Sequence, residues 1–551
     1  MVKKDSLIKG TIILAAAALV ARVLGIFQKV PLEYVMDDIG NGSFGVANNV
    51  YLLLLIFSTA GIPSAISKMV SERYELGREE EAKGIYKAAV RFGVLMGIVM
   101  TILLLLLAPA YASFSKIPEA ALAIQAIAPA LLVFPVIAMM RGYFQGRQFM
   151  IAGGISQVVE QIARVITAVG LVFLLQGLGY SNRMMAAGGA FGSVLGGLAA
   201  LAVMLWYGRK LDESDRRTAR KEPQAAAASF GGPPVLTKTM EIYKAILRIS
   251  IPILLTAMTV QLIYIIDNTL LGPLSEWKFG PEKVDAWLKW LVTNAQSIAG
   301  IPPVLAIALS TSILPVLAAA YASRDEGKVR HQGTLAMRIA IFTGMPVVLV
   351  LTIGAHAVNG LLFSEPTGSA VVAMLCGGTI FQITMMTSNS ILNGISRQRI
   401  AMVHTLTGVA AKLALSLALT PFFGIYGLVA ATSVCFIFVT AWNMATIRKA
   451  TGIRALGDRW FGFASTVLIL AAAGSALVYY GLEWTEPLGW KWPYLIVTLV
   501  LGLFVCVAYL VLLVLFRVIR VEDLDGYPAR IRKLLGPLVR RLGRARRSSA
   551  A

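Results

Sequence analysis

Five ionisable side chains interrupt otherwise apolar stretches of this chain: Arg22, Glu160, Arg164, Asp267 and Lys412. Each costs at least about 2.5 kcal/mol at the centre of an isolated membrane helix, so each must face protein or water rather than lipid. Glu160 and Arg164 are four residues apart and share one helical face, with Ser156, Gln157 and Gln161 close by. A self-neutralising pair that locks helix packing explains the two charges alone. A polar stripe of two turns also suits the wall of a water-filled cavity. Lys412 stands 248 residues beyond Arg164, the same offset that relates Asn393 and Gly394 to Gln145 and Gly146. Two cations at similar depth would attract an anion, above all phosphate, which arginine meets bidentately and lysine as a point charge. Glu160, Gln157 and Gln161 complete the expected substrate cavity around Arg22, Arg164 and Lys412. Arg22 and Asp267 are expected as a salt bridge between the two halves of the chain, either permanent or formed in one conformation. Gln261, Tyr264 and Asn268 surround Asp267 in sequence, which makes this stretch a candidate for ion coupling or gating.

Other chemistry is missing from the sequence. No Gly-x-x-x-x-Gly-Lys-Ser/Thr phosphate loop occurs. His331, His356 and His404 lack metal-ligand spacing. Cys376, Cys435 and Cys506 lie in apolar runs and read as small hydrophobic residues. No catalytic residue, metal or cofactor is expected, and energy for work would come from a coupling ion or the membrane potential. The expectation is a carrier, not an enzyme.

The elements that would position these charges are membrane helices. Of 551 residues, 57% are hydrophobic and only 14% charged, against roughly 25% charged in soluble chains. Apolar runs begin near Leu7, Val46, Ala88, Ala121, Ile155, Ala186, Ile246, Trp290, Leu335, Ser369, Ile400, Ile425, Trp460 and Pro493, which predicts fourteen spans of about 20 residues each. With the N-terminus inside, 40 of the 50 Lys and Arg fall on cytoplasmic segments, as the positive-inside rule requires. The net charge of +21 is therefore a matter of topology and not a nucleic-acid signal; both termini are expected in the cytoplasm. The fold class is an all-α integral membrane protein of two pseudo-symmetric six-helix lobes plus two C-terminal helices. The expected partition is 1–207 for the first lobe, 208–241 for a flexible cytoplasmic linker and 242–449 for the second lobe. Residues 450–517 hold spans thirteen and fourteen, and 518–551 form a basic amphipathic tail on the anionic inner leaflet. The tetrapeptide Ala60, Gly61, Ile62, Pro63 recurs as Ala299, Gly300, Ile301, Pro302, consistent with a duplication. Hinges are expected near Pro252 and Pro302.

Arg141, Gly142, Tyr143, Phe144, Gln145, Gly146, followed by Ser156, Gln157, Val158, Val159, Glu160, Gln161, Ile162, Ala163, Arg164, Val165, resemble the SpoVB/YtgP branch of MurJ-like polysaccharide exporters. Ala21, Arg22, Val23, Leu24, Gly25 and the region from Pro302 to Pro315 fit as well. The resemblance extends over almost the whole chain. It implies a member of the multidrug/oligosaccharidyl-lipid/polysaccharide exporter superfamily in the bacterial cytoplasmic membrane, with two added helices that receive a lipid tail. It also implies a lipid-linked anionic glycan precursor as substrate, above all lipid II, carried outward by alternating access in cell-wall or spore-cortex synthesis. Membrane lipids and cell-wall synthesis enzymes would be partners. Arg22 matches an arginine of the family's cationic cavity, whereas Gln28, Leu54 or Leu55, Ser297 and Gly300 stand where other MurJ proteins carry charges. Competing expectations are an exporter of teichoic acid or capsule precursors, a cation-coupled multidrug exporter of the same fold, and a scaffold for cell-wall enzymes.

Overall fold

The computed structural model describes residues 7–59, 61–114, 117–221, 239–363 and 366–518, and every regular element among them is a helix. Eleven helices are long and apolar enough to cross a membrane, or twelve when the bent pair Met240–Ala257 and Thr259–Phe279 is taken as one span. The chain is thus an all-α, multi-pass membrane protein. The expected total of fourteen spans stands above the eleven or twelve counted on these residues. The eleven or twelve correspond to the third to fourteenth expected spans, and the first and second contain residues outside the described ones; the two copies of the recurring tetrapeptide mark helix breaks. In the first copy, Gly61 adopts a left-handed φ of 78° with Pro63 opening the next helix. A side chain at Gly61 would place a Cβ 2.6 Å from the Ser250 carbonyl oxygen, so glycine serves both the turn and the close packing. In the second copy, the helix ends at Ala299 and resumes at Pro303.

Two compact units divide the chain. One holds Met1–Ala257, Thr311–Glu326 and Asn393–Gln398, the other Met258–Ser310, Gly327–Leu392 and Arg399–Ala551. The first contains α1 (Leu7–Val35), α2 (Asp38–Thr59), α3 (Ile62–Glu75), α4 (Glu79–Phe114), α5 (Ala120–Ile127), α6 (Ala130–Gly146), α7 (Met150–Gly177), α8 (Asn182–Lys221) and α9 (Thr239–Ala257). The later helices are α10 (Thr259–Phe279), α11 (Pro281–Lys289), α12 (Pro303–Ala322), α13 (Glu326–Ile353), α14 (Ala355–Leu362), α15 (Ser369–Gly394), α16 (Gln398–Phe423), α17 (Ile425–Thr451), α18 (Trp460–Thr485) and α19 (Trp492–Leu515). Pro252 lies inside α9, and α9 and α10 are separated at Met258.

Small residues decide how closely these helices approach. Without a hydrophobic force between helices in lipid, association relies on van der Waals packing, which small-xxx-small rows promote. On α8, Gly192 faces Ala168 and Gly196 faces the carbonyl of Glu160 and the Cβ of Arg164, with a built Cβ only 2.6 to 2.9 Å away in each case. On α6, a Cβ at Gly142 or Gly146 would lie 2.7 Å from the carbonyl of Pro63 or Ser67, so the glycines let α6 sit on α3. Gly394, at the 248 offset from Gly146, meets the Leu317 side chain of α12 at 2.7 Å. Corresponding glycines therefore pack on the helices that follow the two tetrapeptide copies, a physical reason for that weak repeat.

The segment expected as a flexible linker begins as helix. α8 runs on to Lys221, and Arg147 clamps Asp215 through two hydrogen bonds of 2.6 and 2.8 Å. The guanidinium also lies over the Tyr74 ring, 4.6 Å from its centroid. Burial pushes the Tyr74 hydroxyl above the ordinary phenol range. This corrects the linker over 208–221, because a bidentate arginine–carboxylate pair fixes geometry. Residues 222–238 and the tail 519–551, with its expected amphipathic helix, lie outside the described residues.

Candidate functional site

α7 carries the polar stripe, and α6 supplies a residue that spacing did not single out. Arg141 donates from Nη2 to Glu160 Oε2 at 2.8 Å and from Nε to Ser156 Oγ at 2.8 Å. Arg164 donates from Nη2 to Glu160 Oε1 at 3.1 Å. One carboxylate thus bridges two guanidiniums and leaves one positive charge over. The side chains of Arg141, Glu160 and Arg164 retain exposures of 21%, 11% and 17%, so the cluster is mostly but not wholly enclosed. The Arg164 guanidinium lies 5.7 Å from the centroid of Phe134, and its Nε is buried with no hydrogen-bond partner among the described residues. Tyr51, on α2, packs edge-on against Phe134. Its hydroxyl is likewise buried and unpartnered among the described residues. Gln157 and Gln161 are half-buried on the same helix. The Gln161 amide lies 3.4 Å from a Cβ built on Gly25 of α1, so the polar face of α7 looks toward α1. Arg22 belongs to α1, but its side chain lies outside the described residues.

The local sequence explains this placement. Gly142 and Gly146 hold α6 on α3, and Gly196 holds α8 against the backbone of Glu160 and the Cβ of Arg164. The glycines of the Arg141–Gly146 motif thus position the arginine that precedes them. Arg141 lies in the last two turns of α6, where no spacing rule tells a functional arginine from the basic residues that cytoplasmic helix ends carry.

The second charged cluster differs from the expectation. Lys412, on α16, donates its ammonium to Asp267 Oδ1, and Thr432, on α17, donates to Asp267 Oδ2 at 3.0 Å. Lys412 is 0% and Asp267 3% exposed. Lys412 is therefore a neutralised, buried partner rather than a cavity cation, and each Asp267 oxygen accepts a hydrogen bond from α16 or α17; the expected ion pair with Arg22 falls on a side chain outside the described residues. The physical reason is desolvation: a charge this deep must be paired and hydrogen-bonded to persist. Asn268 accepts from Gln296 Nε2 at 2.9 Å, and Gln261 is exposed, so neither joins the Asp267 carboxylate in one cluster. Cys376 and Cys435 are buried thiols and Cys506 is exposed. Among the described residues no group of three His, Cys, Asp or Glu side chains is placed to hold a metal ion.

A family model described as polysaccharide biosynthesis protein matches residues 7–321. An uncharacterized membrane protein, YabM, of Bacillus subtilis is 27% identical over 490 residues, 88% of this chain and 87% of that protein. The lipid II flippase MurJ of Bacillus subtilis is 26% identical over 468 residues, 81% of this chain and 84% of that protein. Stage V sporulation protein B of the same organism is 24% identical over 536 residues, 95% of this chain and 98% of that protein. These relatives lie on the branch that the Arg141–Gly146 motif and the α7 stripe suggested. Among solved structures, a MATE in complex with MaD3S aligns with a TM-score of 0.65 at 15% identity over 81% of this chain and 97% of that one. An outward-facing MATE family transporter of the MOP superfamily gives a TM-score of 0.64 over 82% of this chain and 97% of that one, also at 15% identity. A MOP superfamily transporter from Pyrococcus furiosus, described as having reverse polarity in its binding pocket, gives 0.63 at 15% identity over 81% and 96%. These likenesses establish the fold.

Proposed function

The chain belongs to the polysaccharide biosynthesis protein family, and from that membership we propose that it flips a polyprenyl-diphosphate-linked cell-wall precursor, most specifically lipid II, from the inner to the outer leaflet. It is a transporter of its superfamily and not an enzyme. The observation that carries the reading is the Arg141–Glu160–Arg164 cluster, whose surplus positive charge lies within the family-matched residues and suits a diphosphate. Similarity to a lipid II flippase at 26% identity supports the same substrate class.

In this reading the headgroup enters from the cytoplasm and meets the two guanidiniums, which bind phosphate oxygens through charge-assisted hydrogen bonds. The lipid chain stays in the membrane beside the C-terminal helices. The protein lies in the bacterial cytoplasmic membrane with both termini inside, and rocking of the helical lobes, driven by the membrane potential or an ion gradient, releases the headgroup outside.

A cation-coupled exporter of drugs is the second reading, favoured by the MATE-like fold. Its cavity should prefer cations, which a cluster of two arginines and one glutamate repels. Expression in a bacterial strain depleted of its lipid II flippase separates these readings: restored growth supports the proposal. Lysis on depletion, with raised tolerance of cationic drugs in an efflux-deficient strain, supports the second reading.

A further inference from the structure

Glu160 holds a place that an anion from outside the protein would fit. It bridges two arginines, yet one negative charge serves two positive ones. Arg164 Nε and the Tyr51 hydroxyl are both buried and unpartnered among the described residues, although a buried polar group without a partner costs roughly 1 to 3 kcal/mol. Tyr51 is 0% exposed and packs edge-on against Phe134, whose ring also receives the Arg164 guanidinium. The carboxylate therefore satisfies this cluster only in part. A more highly charged acceptor with more oxygens would satisfy it further.

We propose that Glu160 is an internal stand-in for the substrate's diphosphate: it holds Arg141 and Arg164 in binding geometry in the unloaded carrier, is displaced when a diphosphate group enters, and returns to expel it. This deepens the proposed function and rests on that reading for its place in a transport cycle. The competition has a physical purpose. Two neighbouring guanidiniums with no anion would repel one another and spread, whereas a permanent tight diphosphate complex would not release. A carboxylate tethered four residues from Arg164 keeps the pair assembled and lowers net affinity, which favours turnover. Ser156, which accepts from Arg141 Nε, holds that arginine in place while Glu160 moves.

The test is binding of inorganic pyrophosphate to the purified full-length protein, by calorimetry, with sulfate as control. Glu160→Gln removes the competing charge but keeps an oxygen that can accept from one arginine. It is expected to bind pyrophosphate about tenfold or more tighter than the unmodified protein, the equivalent of about one charge-assisted hydrogen bond. Unchanged or weaker binding overturns the proposal and leaves Glu160 a packing residue. Farnesyl diphosphate serves as a second probe: tightening for both ligands assigns the place to a prenyl-linked headgroup, tightening for pyrophosphate alone to the free anion. Should Glu160→Gln not fold, infrared difference spectra of the unmodified protein take its place. Pyrophosphate must then shift a glutamate carboxylate band that Glu160→Asp lacks, and absence of that shift overturns the proposal. Failure of lipid II transport with tightened pyrophosphate binding sinks the substrate assignment alone. Normal transport with unchanged binding sinks this inference alone.

Discussion

Arg164 and Lys412 stand 248 residues apart at corresponding places in a repeated pattern, yet their surroundings are opposite. Arg164 shares its carboxylate with a second arginine, retains 17% side-chain exposure and has an unpartnered Nε. Lys412 is fully buried, has a carboxylate of its own and shares that carboxylate with a threonine hydroxyl. The first cluster carries surplus charge and partial access, which suits recognition. The second balances charge one to one without access, which suits clamping α10, α16 and α17 together. A charge inside a membrane span is thus no sufficient sign of a substrate site; its partner count and exposure decide.

Substitutions at both clusters break or sharpen this comparison. Lys412→Ala has the largest effect on stability. It leaves Asp267 buried with only Thr432, and removing one partner of a buried pair costs about 3–5 kcal/mol. A steep loss of melting temperature in detergent is expected, largely restored by Lys412→Met combined with Asp267→Leu. Arg141→Ala plus Arg164→Ala should do the reverse. Substrate translocation falls by about a hundredfold or more, because two charge-assisted contacts are lost at about 1.5–3 kcal/mol each. The melting temperature changes less than for Lys412→Ala, since Glu160 keeps a route to water. Gly142→Ala forces a methyl group onto the Pro63 carbonyl and should cost about 1–3 kcal/mol. Transport should fall beyond that loss if the glycine positions Arg141. Thr432→Val removes one hydrogen bond to Asp267 and should cost about 1 kcal/mol, read as a small shift in melting temperature with transport intact.

How much of this was legible in the sequence follows from range. Helices and their membrane setting are written in local hydropathy, and Glu160 with Arg164 is an i, i+4 pair that any helix brings together. The Asp267–Lys412 pair joins residues 145 apart, and nothing in local spacing says which helices will pack. Arg141 escaped for a different reason: charge patterning places basic residues at cytoplasmic helix ends, and a functional arginine in α6's last two turns has the same signature. The glycines offered the better signal. Gly142 and Gly146 recur at i, i+4 beside Arg141, and such a row marks close helix contact and so a fixed position for its neighbours. Pro252 stays inside α9 because proline is tolerated inside a membrane helix when its surroundings satisfy the freed carbonyl.

The central claim is that the Arg141–Glu160–Arg164 cluster, and not the Asp267–Lys412 pair, handles a diphosphate-linked lipid. It is tested most directly by measuring translocation of fluorescent lipid II in vesicles that contain the purified protein. The account predicts flipping by the unmodified chain, its loss in the folded Arg141→Ala plus Arg164→Ala double variant, and its retention in the folded Lys412→Met plus Asp267→Leu variant. Flipping at the normal rate by the arginine double variant would contradict it.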